Sequence, residues 1–423
     1  MDFPPRSPAF AWTLAFCGLL LAKLLTRLWL ASRQVRHVAR HRDAVPAAFT
    51  ARIGLAAHQK AADYTMAKLR LDLIDQGWSA ALLLGWTLLG GLDLLNQGLR
   101  ALLGPGLAQQ LGLLAGFFAL GAVLELPLAW IRTFRIEQRY GFNRMTPRLW
   151  LLDGLKSALL GALIGLPFAA LLLWLMQAMG ELWWLWAWAL WMGFNLLLML
   201  LYPTVIAPLF NRFEPLSDET LKARIEALLK RCGFQAKGLF VMDGSKRSAH
   251  ANAYFTGFGP AKRVVFFDTL LKQLSPGEID AVLAHELGHF RCHHLAKRLL
   301  LLSTVSLLGF ALLGWLAIQP WFYIGLGVRP NLDGPNSALA LLLFAGVAPL
   351  LNFFLTPLLS GLSRQHEFEA DAYARQHADG RDLASALIRL YQDNASTLTP
   401  DPLFARFYYS HPPATERLAR LQA

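Results

Sequence analysis

The sequence predicts an all-α membrane protein that crosses the bilayer about seven times and carries a small α+β domain on the cytoplasmic side. Of the 423 residues, 55% are hydrophobic and only 16% are charged, a mixture too apolar for an ordinary soluble protein. Long apolar stretches recur along the chain, and basic residues are concentrated in alternate segments between them. Together these three observations favour a multi-spanning membrane protein with a polar domain.

Seven stretches are long and apolar enough to cross about 30 Å of hydrocarbon. The fifth is rich in tryptophan, which is typical of a membrane–water interface. The first resembles a retained anchor and not a cleaved leader, because only Arg6 precedes it and basic residues crowd its far end. The stretches cover approximately residues 9–31, 77–95, 107–131, 155–179, 182–206, 297–323 and 337–361.

Lysine and arginine follow the odd-numbered stretches, whereas the segments after the even-numbered ones offer little beyond Arg100 and Arg329. The positive-inside rule then predicts an N-terminus outside and a C-terminus in the cytoplasm. The net charge of +12 could also indicate nucleic-acid binding, but such binding would not explain the alternation. We therefore expect the bilayer, and no nucleic acid, as a partner. Short loops and the lack of targeting signals favour a bacterial inner membrane.

The polar segments carry the signals of a small α+β domain. Helical periodicity runs over Asp218–Cys232, short strands are expected at Leu239–Met242 and Arg263–Phe267, and Pro276 opens another helix. The predicted division is 1–210 with five spans, 211–296 as the first polar segment, 297–361 with two further spans, and 362–423 as a second polar segment that completes the same domain.

The helix after Pro276 contains an HExxH motif. Residues four apart lie on one helical face, so His285 and His289 can direct two imidazoles at one ion. Glu286, beside the first histidine, is placed to take a proton from a metal-activated water. The motif also arises by chance, as two surface histidines on an amphipathic helix. Its apolar helical flanks favour the metal site.

A catalytic zinc site needs a third protein ligand. His293 continues the same face, but eight residues of straight helix span about 12 Å, too far for one ion. The better candidates are Glu367 and Asp371, which are four apart and share a face. The sequence favours Glu367 as ligand and Asp371 as the carboxylate that holds a ligating imidazole. The alternative is a solvated, charged helix end.

These two motifs, with four other stretches in the same order, resemble the type I CAAX prenyl endopeptidase family of integral-membrane zinc proteases. The resemblance covers essentially the whole chain. The stretches that carry it are Phe134–Thr146, Tyr202–Asp218, Asn252–Leu271, Ala284–Phe290, Ser363–Ala374 and Ser410–Leu418.

The resemblance implies one Zn²⁺ per chain, with Glu367 as its third ligand. It also implies that Asp371 does not bind the ion but holds a ligating side chain. It implies that Asn252 lies on an edge strand that receives substrate, and that His411 stabilises the oxyanion. It also implies helices that enclose a large chamber, and prenylated C-terminal CAAX peptides as the substrates of eukaryotic members, which lose a tripeptide. From the residues alone, Asn252 could belong to a glycine-rich hairpin with Gly257 and Gly259, and His411 before two prolines could be structural.

Three other functions remain to be weighed against this one. A non-catalytic membrane scaffold would usually have lost Glu286 or a ligand, and all are present. A transporter would place more charges within its spans than this chain does. A broad quality-control protease of membrane proteins would use the same chemistry on other substrates, so the motifs do not separate it from a CAAX-type protease.

Overall fold

The protein is described here by a computed structural model, which covers residues 7–234, 238–250, 252–256 and 263–422. Helices dominate these ranges, and four short strands form one sheet. The helices are α1 Pro8–Arg40, α2 Leu55–Trp86, α3 Gly91–Leu103, α4 Leu107–Ile131, α5 Gln138–Tyr140, α6 Pro147–Ala178, α7 Trp183–Leu201, α8 Glu219–Arg231, α9 Asp268–Gln273, α10 Pro276–Arg291, α11 His294–Leu316, α12 Pro320–Ile324, α13 Ser337–His377, α14 Gly380–Asp393, α15 Pro402–Tyr408 and α16 Ala414–Gln422. The strands are β1 Phe213–Pro215, β2 Gly238–Met242, β3 Ala253–Thr256 and β4 Arg263–Phe267.

Six helical segments among the described residues are long and apolar enough to cross a membrane. They correspond to six of the seven predicted stretches, so a multi-spanning helical fold is confirmed. Most extend past the predicted limits at one or both ends, but the helix of the sixth predicted stretch ends at Leu316, short of the predicted 323, and a turn leads from it into the short helix α12. The segments are Pro8–Arg40, Leu107–Tyr140, Pro147–Ala178, Gly180–Leu209, His294–Leu316 and Ser337–His377.

The second predicted stretch, 77–95, does not form one straight helix. It falls across the junction of α2 and α3, which are bent by 48° relative to each other. Gly90 at this junction has φ +82°, a left-handed conformation that favours glycine. A Cβ on Gly91 would lie 2.6 Å from the carbonyl oxygen of Gly85, so the two backbones touch. The number of spans among the described residues is therefore six, or seven when this bent pair is counted as one span.

The outer surface of the helical bundle is apolar. Along α6, for example, Leu151, Leu155, Leu159 and Leu163 form a row at four-residue spacing, and each is more than half exposed. Such a surface would promote aggregation in water, whereas hydrocarbon tails solvate it. The fold is therefore that of an integral membrane protein.

The polar segments fold into one α+β domain around a four-stranded sheet of order β1-β2-β4-β3. β2 and β4 are parallel, the other two pairings are antiparallel, and β3 is the terminal strand. The predicted strands coincide with β2 and β4, and the predicted helix coincides with α8, whose N-terminus is capped by the Asp218 side chain. One hydrophobic core joins the sheet to α8, α10, α14 and α16.

Helix α13 belongs to both the membrane bundle and this domain. Leu342 and Leu350 near its start are buried in the core of the bundle, whereas Ala374 near its end is buried in the core of the α+β domain. Because one helix joins the two cores, it fixes the position of the domain against the membrane spans.

Replacing Gly91 with valine tests the close contact at the break. The new side chain has to displace the Gly85 carbonyl, so we expect the free energy of unfolding to fall by about 1–3 kcal/mol. Thermal unfolding in detergent should show a lower transition temperature. Gly98→Ala, in the open interior of α3, is the matched control and should be neutral or stabilising. Equal unfolding temperatures for wild type and Gly91→Val would contradict a packed junction.

Candidate active site

Helix α10 carries the HExxH motif into the interior of the domain. It begins with a capping box, in which Ser275 accepts from the backbone of Glu278 and the Glu278 side chain accepts from the backbone of Ser275. His285 is buried and His289 is partly buried, and both point toward α13. The cap fixes where the helix begins, and the helical period then sets the direction of both imidazoles.

The contact between α10 and α13 is made at backbone distance. A Cβ on Gly288 would lie 2.9 Å from the Cα of Ala370 and 3.1 Å from its carbonyl oxygen. Only glycine allows this approach. Ala370 lies one turn after Glu367, so the contact brings the Glu367 carboxylate onto the two histidines of α10.

Three ligand atoms meet at this contact. The Nε2 atoms of His285 and His289 are 3.3 Å apart, and the Glu367 carboxylate oxygens lie 3.4 Å from each of them. Ligands about 2.0–2.1 Å from a tetrahedral zinc lie about 3.3–3.4 Å from one another. Glu367 Oε2 is buried without a hydrogen bond among the described residues, which suits a carboxylate oxygen facing a cation. The donor set therefore fits Zn²⁺.

Asp371 and Arg417 hold the first histidine from behind. His285 Nδ1 lies 2.8 Å from Asp371 Oδ1, and Arg417 donates to both oxygens of that carboxylate at 2.8 and 2.5 Å. Nδ1 must carry the proton in this bond, so Nε2 presents its lone pair to the cluster. Arg417 thus fixes the carboxylate that orients His285.

The pKa of His285 reflects the negative charge of the carboxylates around it. Burial alone would lower the pKa of His285, but the neighbouring carboxylates of Asp371 and Glu367 outweigh burial and raise the pKa to about 9. The carboxylates thus attract positive charge to this point. A divalent cation held by His285 would compete with a proton for the Nε2 lone pair, so metal binding would weaken as the pH falls.

A different pair of residues supports the second histidine. His289 Nδ1 lies 2.9 Å from His294 Nδ1, and His294 Nε2 lies 2.8 Å from Glu369 Oε2. A carboxylate only accepts, so His294 donates to Glu369 and His289 donates to His294. The His294 ring also stacks on His366 at 4.0 Å. His289 is therefore oriented through a two-residue chain that ends in a carboxylate.

The sequence analysis did not predict that His294 and Glu369 would support His289. His293, at φ +56°, lies between α10 and α11, so the backbone turns there and the His294 side chain reaches back to α10. Spacing rules for a straight helix do not describe such a turn. The usable signal was the second carboxylate in the Glu367-Phe-Glu369 stretch, which faces away from Glu367.

Glu286 lies in a cavity of about 380 Å³ beside the cluster. Burial raises its pKa, although the neighbouring histidines oppose this effect. A carboxylate with a raised pKa holds a proton more firmly than an ordinary one, as a general base near neutral pH requires. The same cavity is lined by Asn252, Glu367, Tyr391 and His411.

Two residues singled out in the sequence also reach this cavity. His411 Nε2 lies 3.3 Å from Glu367 Oε1, and its side chain is 64% exposed. Asn252 is exposed and directly precedes β3, where its carbonyl accepts from the Phe267 N–H at 3.0 Å. Gly257 and Gly259 lie outside the described residues. Five of the seven predicted site residues thus line one cavity, and the other two, His289 and Asp371, contact His285 beside it.

A lipid-facing helical bundle with an HExxH helix and a converging glutamate defines an integral-membrane zinc metalloprotease. Residues 34–212 match the family model described as CAAX prenyl protease N-terminal, five membrane helices, and residues 215–423 match Peptidase family M48. The chain belongs to peptidase family M48, and it is a membrane metalloendopeptidase. The resemblance inferred from the sequence motifs is confirmed.

Known relatives resemble the chain along most or all of its length. CAAX prenyl protease 1 of Saccharomyces cerevisiae is 33% identical over 441 residues, which cover 98% of this chain and 96% of that one. The Arabidopsis thaliana CAAX prenyl protease 1 homolog is 36% identical over 313 residues, which cover 73% and 72%. The crystal structure of S. mikatae Ste24p superposes with a TM-score of 0.91 at 30% identity and covers 100% of both chains.

Measurements of zinc affinity can test whether Asp371 and His294 orient the two ligating histidines. Asp371→Asn and His294→Leu each remove a partner that orients one imidazole, so each should weaken zinc binding by about 10–100-fold. Competition with a chromogenic chelator measures this directly. Glu416→Gln, next to Arg417 but exposed, is the control and should bind zinc as wild type does. Wild-type affinity in both test variants would refute the orienting role.

Proposed function

We propose that the chain hydrolyses peptide bonds of membrane-associated substrates with one Zn²⁺ held by His285, His289 and Glu367. The observation that carries the proposal is the spacing of the three ligand atoms, 3.3 and 3.4 Å, beside a cavity that contains Glu286. A tetrahedral ion with three protein ligands keeps one position open for water or substrate.

Each neighbouring residue then has a proposed task. Bound zinc supplies Lewis acidity, which activates water and polarises the scissile carbonyl. The Glu286 carboxylate takes a proton from the attacking water and passes it to the leaving amine. Asp371 keeps the proton on Nδ1 of His285 and so keeps that ring oriented. His411 Nε2, at the rim of the cluster, donates to the oxygen on which negative charge develops.

We propose that the substrate lies along β3. This strand ends the sheet order and lies at the cavity, where Asn252 marks its start. A peptide that adds as a further strand gains backbone hydrogen bonds and places one bond at the cluster. The relatives are named CAAX prenyl proteases. Prenylated C-terminal CAAX peptides are therefore the first substrate class to assay.

We further propose that the site faces the cytoplasm of a bacterial inner membrane, with the N-terminus outside. Arg33, in the basic end of α1, donates to Asp401 of the C-terminal segment at 3.0 Å, so this end of the span lies beside the domain. The positive-inside rule assigns such an end to the cytoplasm. The proposed units are the spans within 1–210 and 297–361, and the catalytic segments 211–296 and 362–423.

Glu286→Gln tests the catalytic assignment. The amide keeps the size of the side chain but cannot accept the water proton, so cleavage should fall by at least about 10²–10⁴-fold. Zinc content, measured on the purified protein, should stay at one ion per chain. Glu416→Gln serves as the matched control and should cleave normally. Wild-type cleavage by Glu286→Gln would rule out this general base.

The substrate class is tested by comparing cells that express wild type or Glu286→Gln. N-terminal proteomics reports new protein ends, and a farnesylated CAAX peptide with its unfarnesylated twin is assayed in parallel. Selective cleavage of the farnesylated peptide supports the CAAX class. Many ends in unrelated membrane proteins, with no preference for farnesyl, would indicate a quality-control protease.

His411→Phe tests the oxyanion role. The ring remains but its N–H donor is lost, so kcat should fall by about 10²–10³-fold. Zinc affinity should change little, because His411 is not among the proposed ligands. A loss of zinc in step with activity would instead make His411 part of the metal site.

A further inference from the structure

The segment that leads into the edge strand is attached to the membrane helices by its backbone. This anchor segment, Arg247–His250, lies just before Asn252. Arg144 donates its N–H to the Arg247 carbonyl at 3.1 Å, and Ala249 donates to the Phe142 carbonyl at 3.1 Å. The loop after α5 and the anchor segment thus form a two-bond bridge between the spans and the sheet.

The side chain of Arg247 fastens the first residue of the anchor segment. Its Nε and Nη2 donate to the two oxygens of Asp153 on α6 at 2.9 and 3.1 Å. Nη1 donates to Asn211 at 3.0 Å. The Arg247 and Asp153 side chains are only 20% and 14% exposed. A bidentate pair in this setting fixes direction as well as distance.

His250 fastens the last residue of the anchor segment. Its Nε2 lies 3.6 Å from Glu137 Oε2, an ion-pair distance, and its ring stacks on Phe142 at 4.3 Å. Glu137 also accepts from the Tyr64 hydroxyl at 2.6 Å. It ends the π-helical turn Arg132–Glu137 that follows α4. π-helical turns are rare in proteins and are often found at functional sites.

The sheet holds the other end of this connection. Thr269 donates its hydroxyl to the His250 carbonyl at 3.0 Å, and Phe267 donates its N–H to the Asn252 carbonyl at 3.0 Å. The start of β3 is therefore attached to the spans on one side and to β4 on the other. Its position over the metal cluster depends on both attachments.

We propose that Glu137 and Asp153 are positioning residues that set, from the membrane helices, where the peptide-binding edge of β3 lies over the zinc site. This inference rests on the proposed function, in which β3 receives the substrate. No hydrogen bond or ion pair of the described residues joins either carboxylate to His285, His289 or Glu367. Their effect therefore reaches the substrate through Arg247 and His250, and leaves the metal ligands in place.

The expected signature is weaker peptide binding at unchanged metal affinity. Asp153→Asn and Glu137→Gln keep the size of each side chain and remove its charge. On the Glu286→Gln background, which does not consume substrate, each should weaken binding of a CAAX-type peptide on the order of tenfold. On the active background KM should rise by a similar factor with a smaller change in kcat. Chelator competition should give wild-type zinc affinity.

Two further variants serve as controls. Glu214→Gln removes an exposed carboxylate from β1, at the opposite edge of the same sheet, and should leave peptide affinity unchanged. Arg247→Lys keeps the charge opposite Asp153 but loses the bidentate geometry, so peptide affinity should fall part of the way. Because it disturbs folding least, this variant decides the matter if Asp153→Asn unfolds.

Peptide affinity equal to wild type in the folded Asp153 and Glu137 variants, or in Arg247→Lys, would overturn the positioning role. So would a loss confined to kcat or to zinc affinity. If the proposed function were wrong, Glu286→Gln would cleave as wild type does. If Glu286→Gln is inactive but the Asp153 and Glu137 variants bind peptide as wild type does, only the positioning role is refuted.

Discussion

The arrangement of the site depends on one contact, the backbone approach of α10 to α13 at Gly288 and Ala370. Gly288 and Ala370 are separated in sequence by the span α11 and by the apolar part of α13, yet this contact places a carboxylate within 3.4 Å of two imidazoles. Any side chain at Gly288 would separate the helices by more than a zinc–ligand bond tolerates. The spans therefore complete the metal site by fixing the helix that brings the carboxylate.

Three acidic residues at alternate positions of α13 have three different surroundings. Glu367 faces the cluster, Asp371 lies on the same face one turn later and holds His285, and Glu369 faces away toward His294. The helical period alone produces this division. Each histidine is thus oriented by its own carboxylate, directly in one case and through a second imidazole in the other.

Local sequence patterns predicted most of the features that lie within a single helix or strand. The HExxH helix, the shared face of Glu367 and Asp371, the strands β2 and β4, and the multi-spanning bundle all follow from periodicity and apolar length. The bend at Gly90 and the turn at His293 were not predictable, because left-handed backbone at a single residue leaves no periodic trace. The partners of Arg247 and His250 also required the structure, since they lie on distant spans.

Helix α13 runs for 41 residues from the bundle core to the proposed third ligand. A span that is longer or shorter than the surrounding hydrocarbon adapts by tilting, and a rigid rod transmits tilt to its far end. Glu367 lies in the last third of this helix, so a tilt of the span is carried toward the metal site unless the helix bends on the way. Pro357 lies between the two regions and removes one bond of the hydrogen-bond ladder there, which makes bending easier. The proline thus separates the part of the helix that adapts to the bilayer from the part that holds the ligand.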